Sequence, residues 1–290
     1  MSTTDPAPAD LSSALRPRAR ELGADLLGVA PIDRFDELPP DRRPRSIFPE
    51  ARSVLVIGKR VTRGALRGVE EGTQFQLYHL YGRDWLNNRV LATATLRIAQ
   101  VLEDNGWEAV PLPNLPPEVP PLGMAVRPGQ PAPNVMLDFD DAAVRAGVGE
   151  IGYCGLLLTP QYGPRQRLQI ILTDAALEPN PLLTEPVCDR CRDHASFCPL
   201  GAISPAGETI LSICGKEMPV AAIDYAKCAT CDNGAGPNPY HSSGRPDRMA
   251  ALCTRSCIQY LEANGRVTNT FHQPFRKREP WGVVEERRML

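Results

Sequence analysis

The sequence contains no apolar run long enough to cross a bilayer. Its longest, "SVLVIG" at 53–58 and "LQIIL" at 168–172, are strand-sized, against the roughly 20 residues a spanning helix needs. The first twenty residues, "MSTTDPAPADLSSALRPRAR", hold no apolar h-region, and their arginines are interrupted by Pro17 and not followed by a hydrophobic stretch. Neither a secretion signal nor a twin-arginine signal is expected, and the reading is a soluble, cytoplasmic protein with no membrane partner. Excess charge of one sign is also missing: 32 basic residues stand against 34 acidic ones, a formal net charge of −2. That balance lacks the basic surplus a nucleic-acid partner calls for, so none is expected. What is present is a chain of 290 residues, 42% hydrophobic, enough for one large or two ordinary domains with a sizeable core.

Cysteine is plentiful. Nine cysteines in a chain without an export signal read as metal ligands or redox groups before disulfides. Cys154 stands apart, and the other eight fall between Cys188 and Cys257, marking a domain.

Before that domain the pattern is mixed α and β. Residues 10–23 read as a helix stopped by Gly23, "ADLLGVA" and "SVLVIG" as strands, and 74–105 as one long helix or two, ended by Gly106. "WEAVPL" is a further strand. Nine prolines within 111–133 exclude a regular element there and suggest a loop covering a site. "DFDDAAVRAG" reads as a short helix and "RLQIILTD" as a buried strand. Residues 1–180 are therefore expected to form an α/β (α+β) domain, 181–262 a cysteine-dense and strand-poor one, and 263–290 a tail that wraps back or frays.

"CDRCRDHASFCPL" places Cys188, Cys191, His194 and Cys198 in the register C-x2-C-x2-H-x3-C-P, the two-cluster ferredoxin run with histidine at the third cysteine position. "CATC" and "CTRSC" add Cys228, Cys231, Cys253 and Cys257. In such runs the cysteine before proline ligates the other cluster. Crossed ligation gives Cys188, Cys191, His194 and Cys257 to one [4Fe-4S] cluster, and Cys198, Cys228, Cys231 and Cys253 to the second. Cys214, in "ILSICGKEM", is the rival to His194, and a three-iron cluster is a further alternative. Paired C-x2-C units also fit structural zinc, but Pro199 and the three-residue spacings favour iron and sulfur.

"RAGVGEIGYCG" contains Gly147, Gly149 and Gly152 in the dinucleotide spacing G-x-G-x-x-G. The context fails that motif, since no strand precedes the first glycine and Gly155, Pro160 and Gly163 break any following helix. With its neighbours, "AGVGEIGYCGLLLTPQYGPRQRLQIILTDAALEPN" resembles the segment preceding the ferredoxin region of reductive dehalogenases and epoxyqueuosine reductases. The resemblance extends to "ELGADLLGVAPID", "PEARSVLVIGKRV", "LEDNGWEAVPLP", "FCPLGAIS" and "IDYAKC", most of residues 14–261.

That resemblance implies a nitroreductase-like, corrinoid-binding domain followed by a ferredoxin-like domain with two [4Fe-4S] clusters. It implies a cobalamin lying against Gly147, Gly149 and Gly152, and more loosely against Tyr153, Cys154, Leu157, Thr159, Tyr162 and Gly163. Glycines would let backbone N–H groups approach a flat ligand closely. It further implies a reductase in which an external donor such as ferredoxin or flavodoxin feeds the clusters, which pass electrons to cobalt and on to a small-molecule substrate. Tyr78 and Tyr81 are candidate proton donors, with His79 and Arg83 nearby; the competing reading places both tyrosines in the core. The sequence departs from the family at Tyr153 and Cys154, the latter an inert core residue or a thiol facing the cofactor. The epoxyqueuosine reductase acid would fall near Pro133 or Asn134, and no acid stands there. The alternative function is a corrinoid-handling or electron-transfer protein without substrate turnover, and a third reading is a ferredoxin-like module that has lost corrinoid binding.

Overall fold

The computed structural model describes residues 9–114, 127–128, 135–238 and 244–283. The chain divides into two compact units whose segments interleave: Met1–Lys59, Leu86–Val148 and Arg167–Leu183 form one, and Arg60–Trp85, Gly149–Gln166 and Thr184–Leu290 the other. The chain leaves the first unit for the last time after Leu183. Residues 60–85 and 149–166, expected with the α/β domain, group instead with the cysteines.

The first unit is built on a four-stranded sheet in the order Leu26–Pro31, Ser53–Arg60, Gln166–Thr173, Ala109–Leu112. Both outer pairings are antiparallel, with Val29 opposite Leu55 and Val110 opposite Leu172. Val54, Leu55, Val56 and Ile57 are each fully buried, as an unbroken apolar run predicts for a strand covered on both faces. Helices Ala9–Glu21 and Ala92–Asp104 supply Leu11, Leu15, Ile98 and Leu102, which pack with Leu55, Ile57 and Ile171. Each such side chain contributes about 1.5–3 kcal/mol by leaving water. Asp138 caps the helix Phe139–Arg145, accepting the N–H groups of Asp140 and Asp141 at 3.0 and 3.1 Å.

The expected helix over 74–105 is not continuous. Gln76–Tyr78 is α-helical, His79–Asp84 and Leu86–Leu91 are π-helical, and the α-helix resumes at Ala92. Three- and four-residue apolar spacing is the pattern of an α-helical stripe and carries no signal of the wider i→i+5 turns at His79–Asp84 and Leu86–Leu91.

The second unit corrects the expectation of a strand-poor cysteine domain. Ile203–Ile213 and Lys216–Ile223 form an antiparallel hairpin with Thr209 opposite Val220 and Ser212 opposite Glu217. Its two-residue turn is Cys214 and Gly215, both at positive φ (51° and 76°), the backbone form that matches strand twist. Around the hairpin lie the pair Glu150–Ile151 and Leu157–Leu158, a short helix Tyr225–Ala229 capped by Asp224, and the helix Leu252–Ala263, which carries Cys253 and Cys257.

The tail packs within this unit. Phe275 is buried, Arg276 Nε meets Glu70 Oε1 at 2.5 Å, Trp281 Nε1 donates to the Glu70 carbonyl at 2.8 Å, and Val283 N donates to Asn233 Oδ1 at 2.8 Å.

Candidate functional site

The cysteine segment starts from a fixed point. Glu150 is buried, its Oε1 accepts the N–H groups of Val187 and Cys188 at 2.8 Å each, and its Oε2 lies 3.0 Å from Lys216 Nζ. From there Arg190 and Arg192 take left-handed conformations (φ 63° and 64°), coiling the chain through Cys191 to His194. Cys188 Sγ accepts the N–H of Tyr153 at 3.3 Å and of Arg190 at 3.4 Å.

Opposite, Gly152 to Gly155 make a tight turn, the Gly155 N–H reaching the Gly152 carbonyl at 2.8 Å, which presents Cys154 inward. The Cys154 and Cys257 thiols are hydrogen-bonded to each other, and Cys188 and Cys191 lie within electrostatic reach of Cys257. The contact with Cys257 brings the buried Cys154 thiol down to about 7, helped by Arg248, while Cys257 is pushed up as its donor. Burial raises Cys188, and raises Cys191 to about 11.

His194 is also buried. Its ring is tilted against Tyr153 at 5.5 Å between centroids, its Nε2 has no hydrogen-bond partner, and burial pulls its pKa down to about 4.

The second group of thiols lines a small pocket of about 10 Å³, with Cys198, Cys228, Cys231 and Cys253 joined by Pro199, Ala251 and Arg248. These four are the ligands that crossed spacing assigns to one cluster. The Ala202 N–H points at Cys198 Sγ (3.3 Å), and Asn233 Nδ2 at Cys231 Sγ (3.8 Å). Burial pushes Cys228 up to about 11 and raises Cys253, so these thiols need a cation beside them to ionise.

Two buried arginines supply positive charge. Arg248 Nη2 donates to the carbonyls of Cys154 and Gly155 at 2.9 and 3.1 Å, and its Nη1 has no partner. Arg255 is fully buried with Nε 3.2 Å from Glu70 Oε2, and burial lowers its pKa to about 10. Both act electrostatically on Cys253. Glu150 and the two arginines carry no motif that spacing could have flagged.

Among the described residues no three His, Cys, Asp or Glu side chains converge on a single-ion site.

A further cavity, of about 210 Å³, is bordered by Cys231, Tyr78, His79, Arg83, Asp247 and Gly236. Tyr78 Oη donates to Asp247 Oδ2 at 2.8 Å, and Arg83 Nε lies 3.7 Å from the same oxygen. The two nominated tyrosines separate: Tyr78 is 3% exposed at this cavity, whereas Tyr81 is 52% exposed and packs edge-on against Trp85. The π-helical turn starting at His79 rotates them apart.

The glycines serve the chain itself. A side chain at Gly147, which has φ 66°, would strike the Pro181 carbonyl, and one at Gly149 the Leu158 carbonyl; at Gly152 it would meet Leu158 Cδ1 at 2.5 Å. Tyr153, Cys154, Leu157 and Thr159 are buried, Thr159 Oγ1 bonds Gln166 Oε1 at 3.1 Å, Gly163 pairs with Thr159, and Tyr162 is half-buried near Arg60. These residues form no open cradle for a corrin, so no step below runs through one. Pro133, Asn134 and most of the proline-rich loop lie outside the described residues. Among the described residues no helix is long and apolar enough to cross a membrane.

The mixed α/β fold with its antiparallel sheets is shared with reductive dehalogenases, and part of the chain is similar to them in sequence. The tetrachloroethene reductive dehalogenases of Desulfitobacterium hafniense and Dehalobacter restrictus are 42% identical to it over 65 residues, 21% of this chain and 12% of theirs. A catabolic reductive dehalogenase structure aligns over 93% of this chain and 39% of its own, with TM-score 0.53 and 18% identity. A reductive dehalogenase whose structure suggests a mechanism for B12-dependent dehalogenation aligns over the same shares, with TM-score 0.53 and 16% identity. At these identities the likeness is one of fold, and the chain spans only about an eighth of the length of the curated relatives. No protein-family model matches. An epoxyqueuosine reductase solved with a tRNA stem loop also aligns, at TM-score 0.43 and 19% identity.

Proposed function

We propose that this chain is an iron–sulfur reductase that reduces a small organic molecule, and that the cavity between Tyr78 and Cys231 receives the substrate. The observation that carries this reading is that Cys198, Cys228, Cys231 and Cys253 line one pocket, with Cys231 also bordering the Tyr78 cavity. Bound [4Fe-4S] clusters supply one-electron transfer at potentials set by net charge, hydrogen bonds and burial.

The chain's own residues do the rest. The cysteines give up their protons to hold iron, and Arg248 and Arg255 offset the negative charge that accumulates among buried thiolates. The N–H groups of Tyr153, Arg190 and Ala202 hold sulfur atoms in place. At the cavity, Tyr78 Oη carries a proton oriented by Asp247, and Arg83 stands by to receive an anion or balance the carboxylate. Cleavage of a carbon–halogen bond there consumes two electrons from an external ferredoxin- or flavodoxin-like donor and one proton, and releases halide.

The test is anaerobic reconstitution of the full chain, with iron analysis, EPR, a cobalamin titration, and turnover of halogenated and epoxide substrates under a reduced donor. About eight iron atoms per chain and substrate-dependent donor oxidation are expected. Stoichiometric cobalamin binding required for turnover would replace the cavity mechanism with corrinoid chemistry, and a colourless zinc protein would end the iron–sulfur reading.

A further inference from the structure

The ferredoxin register leaves one cluster short of a thiolate, because position 194 holds histidine. Spacing alone offered His194 or Cys214 for the fourth ligand. Cys214 is the first residue of the hairpin turn, where its positive φ serves the backbone reversal. His194 is buried against Tyr153.

A third thiol is closer to the others. The turn Gly152–Gly155 lies directly on Cys188: a Cβ at Gly152 would stand 3.6 Å from Cys188 Cβ, and the Tyr153 N–H already reaches Cys188 Sγ. The next side chain, Cys154, is hydrogen-bonded to Cys257, the cysteine that crossed ligation brings to this cluster, and lies within electrostatic reach of Cys188. Arg248 clamps the turn through the carbonyls of Cys154 and Gly155. At Gly155 (φ 67°) a side chain would meet Ile223 at 3.0 Å and the Tyr225 hydroxyl at 3.2 Å, so the turn has little freedom to reorient.

We infer that Cys154, not His194, completes the first cluster, so that Cys154, Cys188, Cys191 and Cys257 form an all-cysteine set whose fourth thiolate comes from the glycine-rich segment. This rests on the iron–sulfur reading above. On binding iron the Cys154 thiol releases its proton, and Arg248 beside it balances the thiolate. His194 is left as a buried imidazole whose Nε2 is free to hydrogen-bond a sulfur, a positioning role without a bond to iron. A cysteine lost from one loop is thereby made good from a segment 40 positions earlier in the chain.

The test uses the full chain reconstituted anaerobically with iron and sulfide, in three forms: wild type, Cys154→Ala and His194→Ala. Iron content, EPR of oxidised and reduced states, and pulsed EPR of wild type carrying ¹⁵N-histidine are the readouts. In the expected result His194→Ala keeps the wild-type iron content with an altered reduction potential. Cys154→Ala loses one cluster, or converts it to a three-iron form visible by EPR in the oxidised state, and labelled wild type shows no imidazole nitrogen bound to iron. A directly coordinated histidine nitrogen in wild type overturns the inference without needing any variant to fold. So does a Cys154→Ala protein that retains two four-iron clusters. Absence of iron from wild type overturns the iron–sulfur reading as well, so the two failures are distinct.

Discussion

Glu150→Ala is the most direct probe of how the fold sets the first cysteines. Two backbone N–H groups, of Val187 and Cys188, end on the single oxygen Oε1 at 2.8 Å, in a side chain only 5% exposed. Truncation leaves both donors without that acceptor, at about 1–3 kcal/mol each, or about 2–6 kcal/mol together. The Lys216 partner is 18% exposed and turns to solvent, so its loss adds at most about 1 kcal/mol. Against a domain stability of about 5–15 kcal/mol the total is a large share. Denaturant unfolding followed by circular dichroism reads the loss, and iron content after anaerobic reconstitution reads its consequence for Cys188. Glu150→Gln keeps a neutral acceptor at Oε1 and should lose less than half as much. A Glu150→Ala protein within about 0.5 kcal/mol of wild type, the range of an inconsequential surface change, and fully loaded with iron would refute the reasoning.

Tyr78→Phe removes the hydroxyl that Asp247 orients at the cavity; turnover should fall by about 10²–10⁴-fold with iron content unchanged, and a fall under threefold would remove Tyr78 as proton donor. Gly147→Ala combines a left-handed backbone with a collision on the Pro181 carbonyl, so thermal unfolding should show a loss of about 1–3 kcal/mol or more; wild-type stability would refute the assigned packing. Stripping iron with a chelator under anaerobic conditions should lower the denaturation midpoint, since ligands that bind the folded state alone stabilise it, and an unchanged midpoint would argue against buried clusters.

Much of the first unit was legible in the sequence because its signals are local. Apolar runs gave the strands 53–60 and 166–173, and Gly23 and Gly106 marked the ends of the helices Ala9–Glu21 and Ala92–Asp104. The hairpin 203–223 was not legible, because its turn residue Cys214 had been weighed as a ligand and a Cys-Gly turn is not among the usual hairpin pairs. The interleaving of segments 60–85 and 149–166 with the cysteines is a matter of long-range packing that periodicity does not encode. At the site, the four thiols that spacing groups together line one pocket. Spacing treated the glycines as a surface for a ligand, whereas the backbone they approach is the protein's own. Arg248 and Glu150 escaped notice because a buried charge is recognised only by what surrounds it.

Arg248 also yields the sharpest electrostatic consequence. Its guanidinium is 3% exposed, anchored by Nη2 and unpartnered at Nη1, and it acts on Cys154, Cys228 and Cys253, which belong to both thiol groups. Adding an electron to either centre adds negative charge next to this cation. At an effective dielectric of about 20 and a separation of about 6 Å, one unit charge is worth about 2–3 kcal/mol, or roughly 100 mV for one electron. Arg248→Gln keeps a donor for the Cys154 and Gly155 carbonyls while removing the charge, so it should leave iron content intact and lower the reduction potentials by tens of millivolts to about that amount. An EPR-monitored redox titration measures the shift. Because the cation acts on cysteines of both groups, both potentials should move in the same direction; a rise in either, or no movement in both, would show that the charge is screened and that Arg248 holds only the turn.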